Sequence, residues 1–302
     1  MLKKFKHYFL NLILIWLAIL FYKTNDYYLN FLRSETQTII LFLALIYTIF
    51  GFLYYLLTPS RKTKKSVATS ILFMLVKIFF LPLMLNFTLN NLGAFKHQFA
   101  SLTINSFLTI NSFNTILFPF LLTTIFLIDT LWFSFGYAFE AGFLKNTIRS
   151  VEPTILGWAV ALICYPPFNS FAVKYIDWYA NDTVFFFNNP ITFAIRIIII
   201  LSLIVYVSAT LALGTKCSNL TNRGIVSRGP YAIIRHPAYI SKNLAWWLTI
   251  IPIASPFAIL SMGAWSFIYH LRTITEERHL SKDPDYIEYK KKVKYRYIPG
   301  IY

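Results

Sequence analysis

The chain has 302 residues, of which 57% are hydrophobic, 19% aromatic and only 13% charged, with a formal net charge of +16. That balance excludes an ordinary soluble domain and defines an integral membrane protein. The basic residues are dispersed beside apolar runs instead of gathered on one soluble face, so they read as topology signal and attraction to anionic lipid, not as a nucleic-acid surface.

A helix crossing the hydrocarbon layer needs roughly 20 mostly apolar residues, and the chain offers about eight such stretches, predicting an all-α, polytopic fold. They fall near Tyr8–Tyr22, Ile39–Leu57, Val67–Leu89, Thr115–Tyr137, Thr154–Val173, Ile191–Leu213, Ala238–Ile253 and Phe257–Leu271. The basic start at Lys3, Lys4 and Lys6 resembles a signal peptide, but no small-residue cleavage site precedes Lys23, so a retained first helix is expected. The N-terminal lysines, the Arg61-Lys62-Lys64-Lys65 run, Lys145 and Arg149, the Lys216 to Arg235 segment and the basic tail all fall on one side if the chain crosses eight times. The positive-inside rule makes that side, and both termini, cytoplasmic.

Several charges fall within or near the first spans. Asp129 lies deep in the fourth span, where an unpaired acid is costly. It is expected either to line a cavity or to pair with Lys77 or Arg196. Glu140 and Glu152 read as loop charges near the cytoplasmic edge, and Pro166-Pro167 as a break in the fifth span. Cys164 and Cys217 sit at different depths, so neither a disulfide framework nor a metal site is indicated.

Polar residues become distinctive from Lys216 onward. Arg235-His236-Pro237-Ala238-Tyr239 predicts an extended residue before proline, His236 at the N-cap and Pro237 in the first turn of a helix, with Tyr239 one turn in. Such a helix start offers free N–H groups to a carboxylate or phosphate. Tyr269, Arg272, Glu276 and Leu280 share one helical face, leaving the adjacent Glu277 toward the flank. A carboxylate there suits an ammonium, a ribose diol or a sulfonium, and an arginine suits an anionic acceptor. The tyrosine-rich tail, Tyr286 to Pro299, has the pattern of an amphipathic segment that folds back as a lid.

The order Gly229-Pro230-Tyr231, Arg235-His236-Pro237-Ala238-Tyr239, a helical hairpin, Glu276-Glu277-Arg278-His279-Leu280, then Tyr286 with Tyr289 and Ile298-Pro299 resembles the isoprenylcysteine carboxyl methyltransferase family and its phospholipid-methylating relatives, over about the last 90 residues. The resemblance implies a membrane enzyme using S-adenosylmethionine on a lipid, lipidated or hydrophobic acceptor that enters from the bilayer. It implies cofactor contacts from Arg223, Gly224, Ile225, Val226, Tyr231, His236, Pro237, Ala238, Tyr239 and Glu276, an acceptor-facing Arg272, and a site facing the cytoplasm. Residues 1–153 would then be transmembrane helices of unassigned role, and residues 154–302 the methyltransferase-like core. Lys216, Glu152-Pro153-Thr154 and Gly157-Trp158 match no assignable pattern.

A sulfonium carries an already activated methyl group, so alignment and exclusion of water are the main demands on such a site. A carboxylate or thiolate acceptor needs only orientation by Arg272. An amine must lose a proton, for which Glu277 or His236 is the expected base. Two other readings remain open: an NADPH-dependent oxidoreductase, since Arg-His-Pro-x-Tyr with a closing Ile-Pro is also similar to sterol reductases, and a non-catalytic lipid-binding protein.

Overall fold

The computed structural model describes residues 2–57 and 67–301, so the Arg61-Lys62-Lys64-Lys65 run lies outside the described residues. The protein is mostly helical, and its five long apolar helices, at Lys6–Thr24, Ser34–Leu53, Ala68–Ala100, Ile110–Ala138 and Asn189–Lys216, are each sufficient to cross a bilayer.

Helix α1 (Leu2–Thr24), the short α2 (Asp26–Phe31) and α3 (Ser34–Leu57) pack on α4 (Val67–Ala100). The turn into α3 is held by Asn86 of α4, whose Oδ1 accepts from Arg33 N at 2.8 Å and Thr36 Oγ1 at 3.1 Å while its Nδ2 donates to Phe31 O at 3.1 Å. Asn86 and Thr36 are buried away from water, so their polar side chains need such partners. Helix α5 (Ile110–Ser112) continues through a wider turn at Phe113–Leu117 into α6 (Phe118–Ala138), which lies between α4 and α9 (Asn189–Leu213).

The remaining three expected spans take other forms. The fifth is two short helices, α7 (Ile155–Leu162) and α8 (Phe168–Ala172), separated at the Pro166-Pro167 pair as the sequence suggests. The seventh is α10 (Pro237–Thr249), 13 residues long, or about 20 Å at 1.5 Å per residue, short of the ~30 Å hydrocarbon layer. Helix α11 (Pro256–Leu280) has the length, but its last turns carry Arg272, Glu276, Glu277, Arg278 and His279. A last helix, α12 (Pro284–Lys292), leads into the tail.

One small sheet matters beyond its size. Strand β1 (Ser150–Val151) pairs antiparallel with β2 (Thr221–Asn222), flanked by bonds from Arg149 N to Asn222 O and from Glu152 N to Leu220 O, both 2.8 Å. It ties the segment before α7 to the loop after α9.

The buried charges are paired differently from expectation. Asp129 accepts from Tyr206 Oη at 2.7 Å and Thr210 Oγ1 at 2.6 Å, while Lys77 donates to Ala138 O at 3.2 Å. Arg196 lies between the rings of Phe118 and Phe185, 4.4 and 4.5 Å from their centres, and donates to the carbonyls of Asn114, Thr183 and Val184. Carbonyls and aromatic faces offer that guanidinium a substitute for water that a single distant carboxylate would not. Arg196→Met is expected to leave these carbonyls unpaired and lower stability by about 3 kcal/mol, read as a lower melting temperature of the detergent-solubilised protein.

Candidate functional site

Helices α6, α7, α9, α10 and α11 and the loop before β2 enclose a cavity. From α10 it receives Ala238, Tyr239 and Lys242, and from α11 it receives Tyr269, Arg272, Thr275, Glu276 and His279. The short helix starting at Gly229 adds Tyr231.

Arg272 is buried, with its guanidinium 5.3 to 5.8 Å from the ring centres of Tyr269, Tyr239 and Tyr165 and Nη2 donating to Asn219 Oδ1 at 3.1 Å. Among the described residues it makes no ion pair with a carboxylate, so a surface pair with Glu276 is not its role. Its charge is solvated by aromatic faces and one amide and remains available to an anionic group. Glu276 lies exposed at the cavity edge, where its Oε2 accepts from Tyr239 Oη at 2.9 Å. Deeper in, Lys242 Nζ lies 4.9 Å from the Tyr206 ring centre and 5.3 Å from that of Trp246.

Glu277 points the other way. Its carboxylate is buried and accepts from Arg235 Nε at 2.7 Å and Arg296 Nη2 at 2.8 Å, with His236 Nε2 3.1 Å away. Burial alone would raise its pKa, but the hydrogen bonds with His236, Arg296 and Arg235 outweigh it and hold the carboxyl well below the usual range. A carboxylate so bound is a poor proton acceptor, so the base expected at Glu277 becomes instead the anchor of the tail. The same segment is fixed through its backbone: Arg235 N donates to Tyr295 O and His236 N to Arg296 O, both at 3.0 Å. His236 is the N-cap and Pro237 opens α10, as the sequence predicts. The tail folds back onto α10 and α11, with Tyr297 Oη 2.8 Å from His270 Nδ1 and bonded to Thr273 Oγ1.

Of the residues singled out in the sequence, the structure brings Tyr231, Ala238, Tyr239, Arg272 and Glu276 to the cavity. His236 and Pro237 stand behind it. The Arg223–Val226 stretch is also outside the wall. Arg223 is buried and donates to Asn146 O at 3.4 Å, Gly224 adopts φ +90° beside Arg149 and Lys216, and Ile225 packs on Tyr286, Tyr289 and Val293. Ile225 and Val226 border a second hollow with Lys145, Lys216 and Arg228.

Glu152 lies in a loop, as expected, between β1 and α7, but instead of an edge charge it is 2% exposed and forms part of the cavity wall, as do Tyr165, Asn219 and His279. No periodicity links residue 152 to α11. Its place depends on the β1–β2 ladder, whose strands are too short to show alternation.

A sequence model of the phospholipid methyltransferase family matches residues 186–283, the segment that spans α9, α10 and α11. The match begins ahead of the Gly229-Pro230-Tyr231 motif and stops before the tail tyrosines. No curated protein and no solved structure matches the chain.

A carboxyl with a depressed folded pKa contributes stability that is complete above its ordinary value of 4.5 and is lost as pH falls from there toward the folded value. Glu277→Gln is therefore expected to cost about 3 kcal/mol at neutral pH by leaving Arg235 buried without its counter-charge, and to open the tail to limited proteolysis. Wild type should lose this advantage over the variant in melts below about pH 4.5.

Proposed function

We propose that the protein is a membrane-embedded methyltransferase that uses S-adenosylmethionine to methylate a lipid, lipidated or otherwise hydrophobic acceptor. The observation that carries this reading is the coincidence of the family match over α9–α11 with the convergence of Tyr231, Tyr239, Arg272 and Glu276 on one cavity enclosed by those helices.

The residues present fit that cofactor. Tyr231, Tyr239 and Tyr269 offer aromatic faces suited to a cationic sulfur, and Glu276 offers a carboxylate with one oxygen already oriented by Tyr239 to a ribose diol or an ammonium. When bound, the cofactor supplies an activated methyl group. The chain's own task is then to hold the acceptor in line and exclude water. Arg272, held among three rings, is placed to orient an anionic group of the acceptor. His236 acts at a distance, through Glu277 and the position of the tail.

Residues 1–153 serve in this reading as the bilayer scaffold, although Phe133 and Glu152 from that part reach the cavity. In this reading the basic segments lie on the cytoplasmic side, so that the cavity mouth and both termini face the cytoplasm. The acceptor would reach the cavity from the surrounding lipid.

S-adenosylmethionine titrated into the purified protein should raise its melting temperature, and Glu276→Ala should abolish that shift. Arg272→Ala should keep cofactor affinity within a few-fold while labelled-methyl transfer falls about 100-fold, the split expected when only the acceptor is misplaced. A shift with NADPH and none with S-adenosylmethionine would move the protein to the reductases. A response to lipid alone would favour a non-catalytic binding role.

A further inference from the structure

The second hollow, bordered by Lys145, Lys216 and Arg228, takes no part in the reading above. It lies beside the ends of two helices long enough to cross a bilayer, with Trp132 of α6 and Leu211 and Leu213 of α9 in its wall. One side of it is therefore apolar and the other cationic.

The cations are carried on turns that lock together. Asn146, fully buried, donates through Nδ2 to Phe139 O at 2.9 Å and Thr215 O at 3.2 Å and accepts at Oδ1 from Ala141 N at 2.9 Å. Thr215 Oγ1 in turn donates to Leu144 O at 3.1 Å. These bonds fix the turn bearing Lys145 against the one bearing Lys216. A Cβ on Gly224 would stand 3.2 Å from both Lys216 Nζ and Arg149 Nη2, and one on Gly214 would stand 3.8 Å from Arg228 Nη2. Arg228 also serves the end of α9, its Nε donating to Ala212 O at 3.1 Å. Among the described residues the Lys145 and Lys216 ammonium groups make no hydrogen bond or ion pair, and Arg228 makes no pair with a carboxylate. Asp285, a carboxylate whose charge bears on Lys216, is already bound by Arg149 at 2.5 Å. Like charges gathered in this way repel one another unless an anion joins them.

We propose that the hollow binds the headgroup of an anionic phospholipid, with its phosphate among Lys145, Lys216 and Arg228 and its acyl chains along α9. The apolar side selects a lipid over a soluble anion. Ile198, Leu201, Val205 and Leu211 are each 41 to 58% exposed and follow one face of α9 down to the hollow, a path suited to acyl chains and of no use to free phosphate. Charge selects the headgroup, since a zwitterionic lipid would bring a further cation to a place that already holds three. This site is distinct from the cavity and does not depend on the methyl-transfer reading. Its occupant would nevertheless reach the cavity indirectly. Ile225 borders the hollow and packs on Tyr286, Tyr289 and Val293 of the tail segment, and the loop that begins at Lys216 carries Asn219, the amide partner of Arg272.

The test is native mass spectrometry of lipid retained by the purified full-length protein. Phosphatidylglycerol and phosphatidylcholine with the same acyl chains are titrated separately into wild type, into Lys145→Gln/Lys216→Gln, and into Lys291→Gln/Lys292→Gln, which removes the same charge from exposed positions on α12. Wild type is expected to retain a single phosphatidylglycerol at least about tenfold more tightly than phosphatidylcholine. The Lys145→Gln/Lys216→Gln variant should lose that preference, and the α12 variant should keep it. Equal retention of the two lipids by wild type, a measurement that needs no variant to fold, overturns the inference. Unchanged phosphatidylglycerol binding by Lys145→Gln/Lys216→Gln does so too, and an equal loss in both variants would reduce the effect to net charge and overturn it as well. Inorganic phosphate that displaces the lipid would assign the hollow to a soluble anion, and displacement by S-adenosylmethionine would assign it to the cofactor; either result overturns the lipid site.

Discussion

The arrangement of the C-terminal third depends on one buried carboxylate. Glu277 gathers Arg235 and His236 from the start of α10 and Arg296 from the tail. Burying these charges is tolerable only because each finds an opposite charge and further hydrogen bonds, as where Arg235 also donates to Val293 O at 3.0 Å. With the tail fixed in this way, α10 starts at a defined point. Tyr239 and Lys242 on α10 and Arg272 and Glu276 on α11 can then face the same space. The conspicuous Arg-His-Pro motif therefore builds the site from behind: its arginine and histidine touch Glu277, and only the following Ala238 and Tyr239 reach the cavity.

A second constraint comes from outside the family-matched segment. The two-residue ladder between β1 and β2 joins the start of α7 to the loop after α9, and Arg149 reinforces it from the surface through Asp283 at 2.8 Å and Asp285 at 2.5 Å. These exposed pairs are individually weak. Their location at the junction of β1, β2 and α12 nevertheless keeps Glu152 opposite His279. The matched helices provide one side of the cavity, and a segment preceding them provides the other.

Charge is distributed within this space in a consistent way. Arg272 is surrounded by tyrosine faces, Lys242 stands near Asp129, Glu276 lies at the edge, and Glu152 is buried in the wall. Because a low-dielectric surrounding penalises any charge left alone, a ligand with separated positive and negative groups is a natural occupant. A purely apolar molecule would leave Arg272 without a counter-charge and Glu152 Oε2 without a donor.

The amino-acid sequence by itself determined the class of protein, the long apolar helices, the proline break in the fifth span, His236 as N-cap and the inward face of Tyr269, Arg272 and Glu276. Each of these follows from hydropathy, periodicity or local steric rules that act within a few residues. Only the tertiary structure decided that Glu277 is bound between Arg235, His236 and Arg296 as the anchor of the tail, that Asp129 bonds Tyr206 and Thr210 and not Lys77 or Arg196, and that Glu152 belongs to the cavity. Those outcomes depend on contacts between residues 19 to 127 positions apart, as in Glu277 with Arg296 and Glu152 with His279. Local pattern carries no information about such partners, because the energy of a buried charge is set by whatever the folded chain brings beside it.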